Sequence, residues 1–312
     1  MCKMKIGILG CSSIAKRCII PAIKKIEGVE LSGVASRDIN KAIGWGFEYH
    51  TNPYTYGELL ASDVDMIYVS LPPGLHYEWG KKVLLSGKHL LMEKTFTTNT
   101  SDALELFSIA ENQGSKCMEA LMYEFHPVQK KIDALLESMG SVKYVDATFC
   151  FPYFKDKEDI RYKKALGGGS IHDSLIYPLS FVQRILGKSY EDCYYNFTED
   201  EVVEKGTIMM TYPDSTAVIN FGFGQAYRNE ITISSEYETM KAERVFSRTP
   251  DCINPIHIIQ NGSTESFEID KSDQFESMIR FFISANTREL YKKELNTISR
   301  LKFMDRIIKW NY

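Results

Sequence analysis

The sequence predicts an α/β chain: an N-terminal doubly wound parallel sheet, then an α+β domain with a mostly antiparallel open sheet. Residues 1–122 alternate short, uniformly apolar runs with amphipathic stretches, the pattern of parallel strands covered by helices on both faces. From residue 123 to 312, short strands follow one another across tight turns, as antiparallel neighbours do. A length of 312 residues, with 44% hydrophobic and 25% charged, is ordinary globular composition and leaves room for two domains of ~150 residues.

Met4–Leu9 reads as a buried strand, and Ser13–Ile26 as a helix with a kink or break at Pro21, which lacks an N–H. Further strands are predicted at Val29–Ala35, Asp65–Leu71, His89–Met92 and Ser115–Met122, with helices at Leu75–Ser86 and Ser101–Asn112 closed by Gly87 and Gly114. In the second half, helix Pro127–Met139 precedes strand Val142–Phe151, and helix Ser170–Leu186 follows a glycine run. Strands are then predicted at Asp192–Phe197, Thr207–Tyr212, Ala217–Phe223, Glu230–Ser235 and Met240–Phe246, with turns at Pro213-Asp214 and Asn261-Gly262. Helices Ser272–Ala285 and Ile298–Trp310 finish the chain.

The net charge of −4 and pI near 5.9 offer no broad basic face, so no nucleic-acid partner is expected. No run of ~18 apolar residues suggests a membrane span. The chain runs straight into a strand, without a signal-peptide pattern. The seven cysteines (Cys2, Cys11, Cys18, Cys117, Cys150, Cys193 and Cys252) are odd in number and form no CxxC pair, which fits reduced thiols in the cytoplasm. No metal-ligand spacing and no Ser/His/Asp arrangement is present, so no metal is expected.

The first strand runs into Gly10-Cys11-Ser12-Ser13-Ile14-Ala15. This is the Rossmann pattern G-x-G-x-x-G/A with serine at its middle position. The first glycine makes the tight turn, the small residues admit a pyrophosphate, and the helix N-terminus offers N–H donors. An ordinary βα turn of small residues is the alternative. The second strand ends in Ser36-Arg37, with no carboxylate where one would bind the 2′-hydroxyl of NAD. Arginine suits a 2′-phosphate, so NADP(H) is favoured and NAD(H) is the second choice; a surface arginine is the plain alternative. Lys94 ends a buried strand at the sheet edge where ligands bind in such folds, though a solvated strand-end lysine fits as well.

Five segments match a known family in order: IGILGCSSIAKR at 6–17, VASR at 34–37, LPPGLHYEWGKKVLLSGKHLLMEKT at 71–95, MYEFHP at 122–127 and ALGGGSIHDSLIYPL at 165–179. On these the chain resembles the family named for glucose–fructose oxidoreductase, inositol dehydrogenase and a rhizopine-catabolism protein (Gfo/Idh/MocA). The branch it resembles holds dihydrodiol and xylose dehydrogenases and sugar-nucleotide ketoreductases. The resemblance implies that Lys94 is catalytic, and that Asp173 and Tyr177 match the aspartate and the tyrosine four residues on in the family's second motif. It further implies cofactor contacts by Gly10, Ser12, Ser13, Ile14, Ser36, Arg37, Leu71, Pro72, His76 and Glu93, and substrate contacts by Arg161 and His172. Asp173 and Tyr177, at i and i+4 of a predicted helix, share a face. With Lys94 they would form a Lys–Tyr–Asp cluster over a nicotinamide, Tyr177 giving the proton and Lys94 holding the developing oxyanion. Tyr177 as a core tyrosine and Asp173 as a helix-face carboxylate are the structural alternatives. The chain departs from the family at Thr95 (usually proline), Glu124 (usually arginine in this branch), His172 and Leu175.

The expected activity is hydride transfer between a nicotinamide and a sugar carbon, with a keto-sugar or nucleotide-linked keto-sugar reduced. The alternatives are a free-sugar or dihydrodiol dehydrogenase and a catalytically silent nucleotide-binding sensor. The resemblance also implies a homodimer or homotetramer through the second domain's sheet.

Overall fold

The computed structural model describes residues 3–156 and 158–311. They fall into two units: Met1–Leu121 together with Phe275–Tyr312, and Met122–Gln274.

The first unit is built on six parallel strands, β1 (Met4–Leu9), β2 (Val29–Ala35), β3 (Asn52–Tyr54), β4 (Met66–Val69), β5 (His89–Glu93) and β6 (Cys117–Ala120), in the order β3-β2-β1-β4-β5-β6. This is the Rossmann order, with β1 and β4 flanking the point where the winding reverses. Ile8, Leu9, Ile67, Val69, Leu90 and Met92 are fully buried, so a strictly apolar strand is what the position demands. The short edge strand β3 and the helices Ile39–Tyr49 and Tyr56–Ala61 have no counterpart in the predicted elements. Pro53 hides β3, and proline is tolerated there because β3 lies at the sheet edge. The helix after it carries a capping box in which Thr55 and Glu58 satisfy each other's backbone N–H groups.

The helix after β1 widens into a π-helical turn over Ala15–Ile19 before continuing as α-helix Ile20–Lys25. Pro21 explains the widening. Its nitrogen cannot bond the carbonyl of Arg17 four residues back, and its ring pushes that carbonyl away. The helix predicted over Ser170–Leu186 does the same: a π-helical turn at Ile171–Leu175 precedes α-helix Ile176–Leu186, with Pro178 set against Ser174.

The second unit holds eight strands: β7 (Tyr144–Phe151), β8 (Cys193–Glu199), β9 (Val203–Tyr212), β10 (Ser215–Phe223), β11 (Arg228–Ser234), β12 (Thr239–Glu243), β13 (Ile256–Gln260) and β14 (Ser263–Phe267). Their order is β14-β13-β12-β11-β7-β10-β9-β8, antiparallel except where β7 and β10 run parallel. Helix Ile176–Leu186 packs on β7 and β10. The predicted turn at Asn261-Gly262 joins β13 to β14, two strands the sequence pattern did not reveal. Both residues have positive φ (49° and 78°), as a type I′ hairpin requires.

The predicted division assigned all of 123–312 to the second domain. The structure corrects this: helices Gln274–Ser284 and Thr287–Asn311 belong with the first unit, and the latter packs on β6 and on helix Thr100–Gln113. Leu301, Met304 and Ile307 are buried, and Arg300 meets Glu119 of β6 in an ion pair whose side chains are both nearly inaccessible. Deleting either partner would strand a buried charge at a cost of ~3–5 kcal/mol.

Candidate active site

In the first unit the predicted cofactor residues gather at the C-terminal ends of β1, β2, β4 and β5. Gly10 has φ +108°, and a Cβ there would lie 2.9 Å from the carbonyl oxygen of Ser70 and 3.0 Å from Leu71. The Ser70 hydroxyl donates to the Gly10 carbonyl at 2.6 Å, tying the β1 turn to the end of β4. Glycine is therefore required on two independent grounds. Ser12 Oγ accepts the Ala15 N–H at 3.1 Å, so the serine in the middle of the motif caps the following helix. Its own hydroxyl hydrogen is left to donate outward, which suits a phosphate. Ser13 is exposed and Ile14 half-buried at the same turn, and Ala15 is fully buried where helix and strand meet.

At the end of β2, Ser36 is buried and its Oγ accepts the Asp38 N–H at 3.2 Å. The Asp38 carboxylate turns back to accept the Asn40 N–H at 3.0 Å as the N-cap of helix Ile39–Tyr49. That capping role withdraws a nearby carboxylate from the ribose position. The Arg37 side chain is exposed, while its backbone hydrogen-bonds the hydroxyl of Tyr56, whose ring meets Trp79 edge-on at 4.7 Å.

Leu71 and Pro72 lie half-buried after β4. The side chain of His76 is wholly buried, with Nδ1 2.8 Å from the carbonyl oxygen of Thr95 and Nε2 2.7 Å from that of Leu71. Burial pushes its pKa down, against the two carbonyls that favour the cation. A neutral ring donates to one carbonyl and the cation to both. Either way the ring braces the loops after β4 and β5.

Glu93 and Lys94 are half-buried at the end of β5. The buried Tyr68 hydroxyl donates to Glu93, and the Lys94 N–H donates to its other oxygen at 3.2 Å. Burial raises the Glu93 pKa, partly offset by Tyr68 and Lys94. The peptide between Lys94 and Thr95 is cis.

In the second unit, Arg161 and Asp173 come together beside the glycine run, His172 lies in the same π-helical turn as Asp173, and Tyr177 follows in helix Ile176–Leu186. A Cβ on Gly168 would sit 2.7–2.9 Å from the carbonyl oxygens of Ile160, Arg161 and Lys163, and Gly169 has φ +101°. The glycines let the loop 160–166 close on the helix that carries Asp173. Arg161 Nε donates to Asp173 at 3.0 Å and its Nη1 to Asp159 at 3.1 Å, and the guanidinium lies 4.4 Å over the ring of Phe154. Burial works against the charge of Arg161, and the two carboxylates more than offset it, raising its pKa. Arg161 is thus held by two carboxylates and a ring, and its Nε contact fixes Asp173. Tyr177 is 5% exposed and packs against Tyr123, Phe149 and Phe246, its hydroxyl 3.7 Å from the Met122 sulfur. It belongs to an aromatic cluster, and its hydroxyl is buried beside Met122. The π-helical turn places Asp173 on a wider turn than the i, i+4 reading assumed.

Sequence reasoning missed Ser70, Tyr68, Glu119 and Arg300. Glu119 left a signal: a lone carboxylate inside the apolar run Cys117–Leu121, which must find a buried partner. Among the described residues no group of three His, Cys, Asp or Glu side chains could hold a metal, and the six described cysteines are free; Cys2 lies outside the described residues. No described helix is long and apolar enough to cross a membrane.

Residues 4–121 match an oxidoreductase family with an NAD-binding Rossmann fold, and residues 130–240 match the Gfo/Idh/MocA C-terminal domain. The chain belongs to this oxidoreductase family. It is 31% identical over 290 residues to a dTDP-3,4-didehydro-2,6-dideoxy-alpha-D-glucose 3-reductase of Actinomadura kijaniata, covering 90% of this chain and 87% of that protein. It is 29% identical over 292 residues to a D-xylose 1-dehydrogenase (NADP(+)) of Haloferax volcanii, covering 90% and 89%. Its fold matches a variant of KijD10, a 3-ketoreductase from A. kijaniata in complex with TDP-benzene and NADP, with a TM-score of 0.91, 29% identity and 98% and 97% of the two chains covered.

Proposed function

We propose that this protein is an NADPH-dependent reductase of a nucleotide-linked keto-sugar. The observation that carries the reading is likeness over nearly the whole chain, in sequence and fold, to 3-ketoreductases of dTDP-linked sugars crystallised with NADP. The local geometry fits that cofactor. Gly10 leaves room for backbone to approach a pyrophosphate, Ser12 keeps a hydrogen to donate, and Arg37 stands exposed where Asp38 has been drawn into a helix cap.

NADPH, when bound, supplies the hydride. Gly10, Ser12, Ser13 and Ile14 would hold the pyrophosphate, Ser36 and Arg37 the 2′-phosphate, and Leu71, Pro72 and Glu93 the nicotinamide end. Lys94 donates a hydrogen bond to the carbonyl oxygen as negative charge develops on it. Tyr177 delivers the proton to that oxygen, and Asp173, held by Arg161, orients the donor or a substrate hydroxyl. His172 contacts the substrate. KijD10 has been crystallised with one lysine replaced and with one tyrosine replaced. The separation of those two residues matches that of Lys94 and Tyr177 to within one position.

Reduced cysteines support a cytoplasmic location. The exposed Tyr194 and Met209 on neighbouring β8 and β9 support pairing of this face with a second copy of the chain. Sedimentation would read the oligomeric state.

Titration with NADPH and NADH, followed by nucleotide fluorescence, tests the cofactor assignment. Tighter NADPH binding that weakens on Arg37→Ala is the expected result. Equal affinity for both, unaffected by Arg37, would remove the 2′-phosphate site.

A further inference from the structure

The buried loop that follows Lys94 is held by groups the reaction does not itself require. Thr95, Phe96 and Thr97 are wholly inaccessible to solvent, so their backbone polar groups need partners inside the protein. Two buried side chains supply two of these partners. His76 meets the Thr95 carbonyl, and Glu119 Oε1 accepts the Phe96 N–H at 2.8 Å. The other oxygen of Glu119 accepts from Thr297 Oγ1 at 3.1 Å and from Arg300, and Arg300 Nη2 also lies 3.1 Å from Thr297 Oγ1. Glu119, Thr297 and Arg300 are each at most 4% exposed.

Stability alone does not account for this arrangement. Glu119 pairs in register with Met92 of β5, where an apolar residue would be at home, and buried ion pairs replaced by apolar side chains often leave stability unchanged. What an apolar pair cannot do is accept the Phe96 N–H, two residues beyond Lys94. We propose that Glu119 and Arg300 are positioning residues: through the Phe96 amide, the C-terminal helix fixes the backbone that places the Lys94 ammonium. The inference rests on the reading of Lys94 as the group that holds the substrate oxygen.

The test replaces the pair with apolar residues, Glu119→Leu with Arg300→Met, so that no buried charge is stranded. The expected protein is folded by circular dichroism and binds NADPH within about twofold of wild type. Its kcat falls about tenfold or more, as a misplaced catalytic group predicts. The isotope effect on kcat with 4-deuterated NADPH rises as hydride transfer becomes slower than product release. A folded variant with wild-type kcat and isotope effect overturns the proposal. Should that variant not fold, Thr297→Val removes the hydroxyl that bonds both Glu119 and Arg300, and Arg300→Lys keeps the charge while weakening its bonds to both. A lower kcat at unchanged NADPH affinity in either supports the proposal, and wild-type kcat in both overturns it. Lys94→Met in the same assay separates the two ideas. If it retains turnover, the lysine reading fails. If it is inactive while the Glu119 and Arg300 variants behave as wild type, the positioning role alone fails.

Discussion

The first unit holds its candidate groups by backbone, and the second holds them by side chains. At the end of β1 the decisive features are a positive φ and a contact too close for any Cβ at Gly10. At the end of β5, Thr95 and Phe96 are clamped through their peptide groups. Around the glycine run, Asp173 depends instead on a guanidinium, and Tyr177 on neighbouring rings. Backbone-held sites should fail sharply when geometry changes. Side-chain-held sites should respond in a graded way to charge and size.

The sharpest contrast is expected at Lys94. Lys94→Ala should lower kcat about 10²–10³-fold, the usual cost of removing an oxyanion donor, with NADPH affinity retained. Unchanged turnover would dissolve the contrast by taking the backbone-held site out of the chemistry. Gly10→Ala comes next. The strained φ costs ~1–3 kcal/mol before the clash with the Ser70 carbonyl is added, so both thermal stability and NADPH affinity should fall. Calorimetry and titration of one sample would read both. Arg161→Met should be milder, because it leaves the Asp173 carboxylate in place and partly solvated. A fall in kcat/KM of about tenfold is expected, roughly the value of one charge-assisted hydrogen bond.

A separate effect, on stability and not on turnover, concerns pH and lies in the second unit. Burial, reinforced by Arg248, lowers the His126 pKa from 6.5 to about 4. Its Nδ1 accepts the Val128 N–H at 3.1 Å and caps helix Pro127–Met139. Between these pH values the unfolded chain binds the extra proton. The stabilisation is therefore complete above pH 6.5 and is lost as pH falls toward 4, by up to ~3 kcal/mol. His126→Asn, which can keep the cap, should flatten denaturation midpoints across that window.

The same contrast explains what could be read from the sequence. Strand β1 and helix Pro127–Met139 match their predicted limits, because apolar runs bounded by glycine or proline leave unmistakable ends. Gly10, Arg37 and Lys94 could be placed from motif position, since backbone-held sites put fixed residue types at strand ends. The role of Asp38, whose carboxylate caps the helix after β2, shows only in the structure. The bracing contacts of His76 leave no mark in the sequence, because a histidine at a helix start looks alike whether it faces ligand or carbonyls. The partnership of Arg161 with Asp173, and that of Glu119 with Arg300 across 181 positions, depend on tertiary folding and leave no local spacing to find. The π-helical turns lie near prolines that the sequence does show, but the sequence alone suggests a kink or break at Pro21 and an unbroken helix through Pro178.

One measurement bears most directly on the account. A dTDP-linked 3,4-didehydro-2,6-dideoxyhexose would be incubated with the protein and 4-deuterated NADPH, and the product examined by NMR. NADPH should be oxidised and deuterium should appear at C3, one of the substrate's two carbonyl carbons, with NADH much less effective. No transfer to that substrate, alongside NADP+ reduction with D-xylose or a trans-dihydrodiol, would contradict the account.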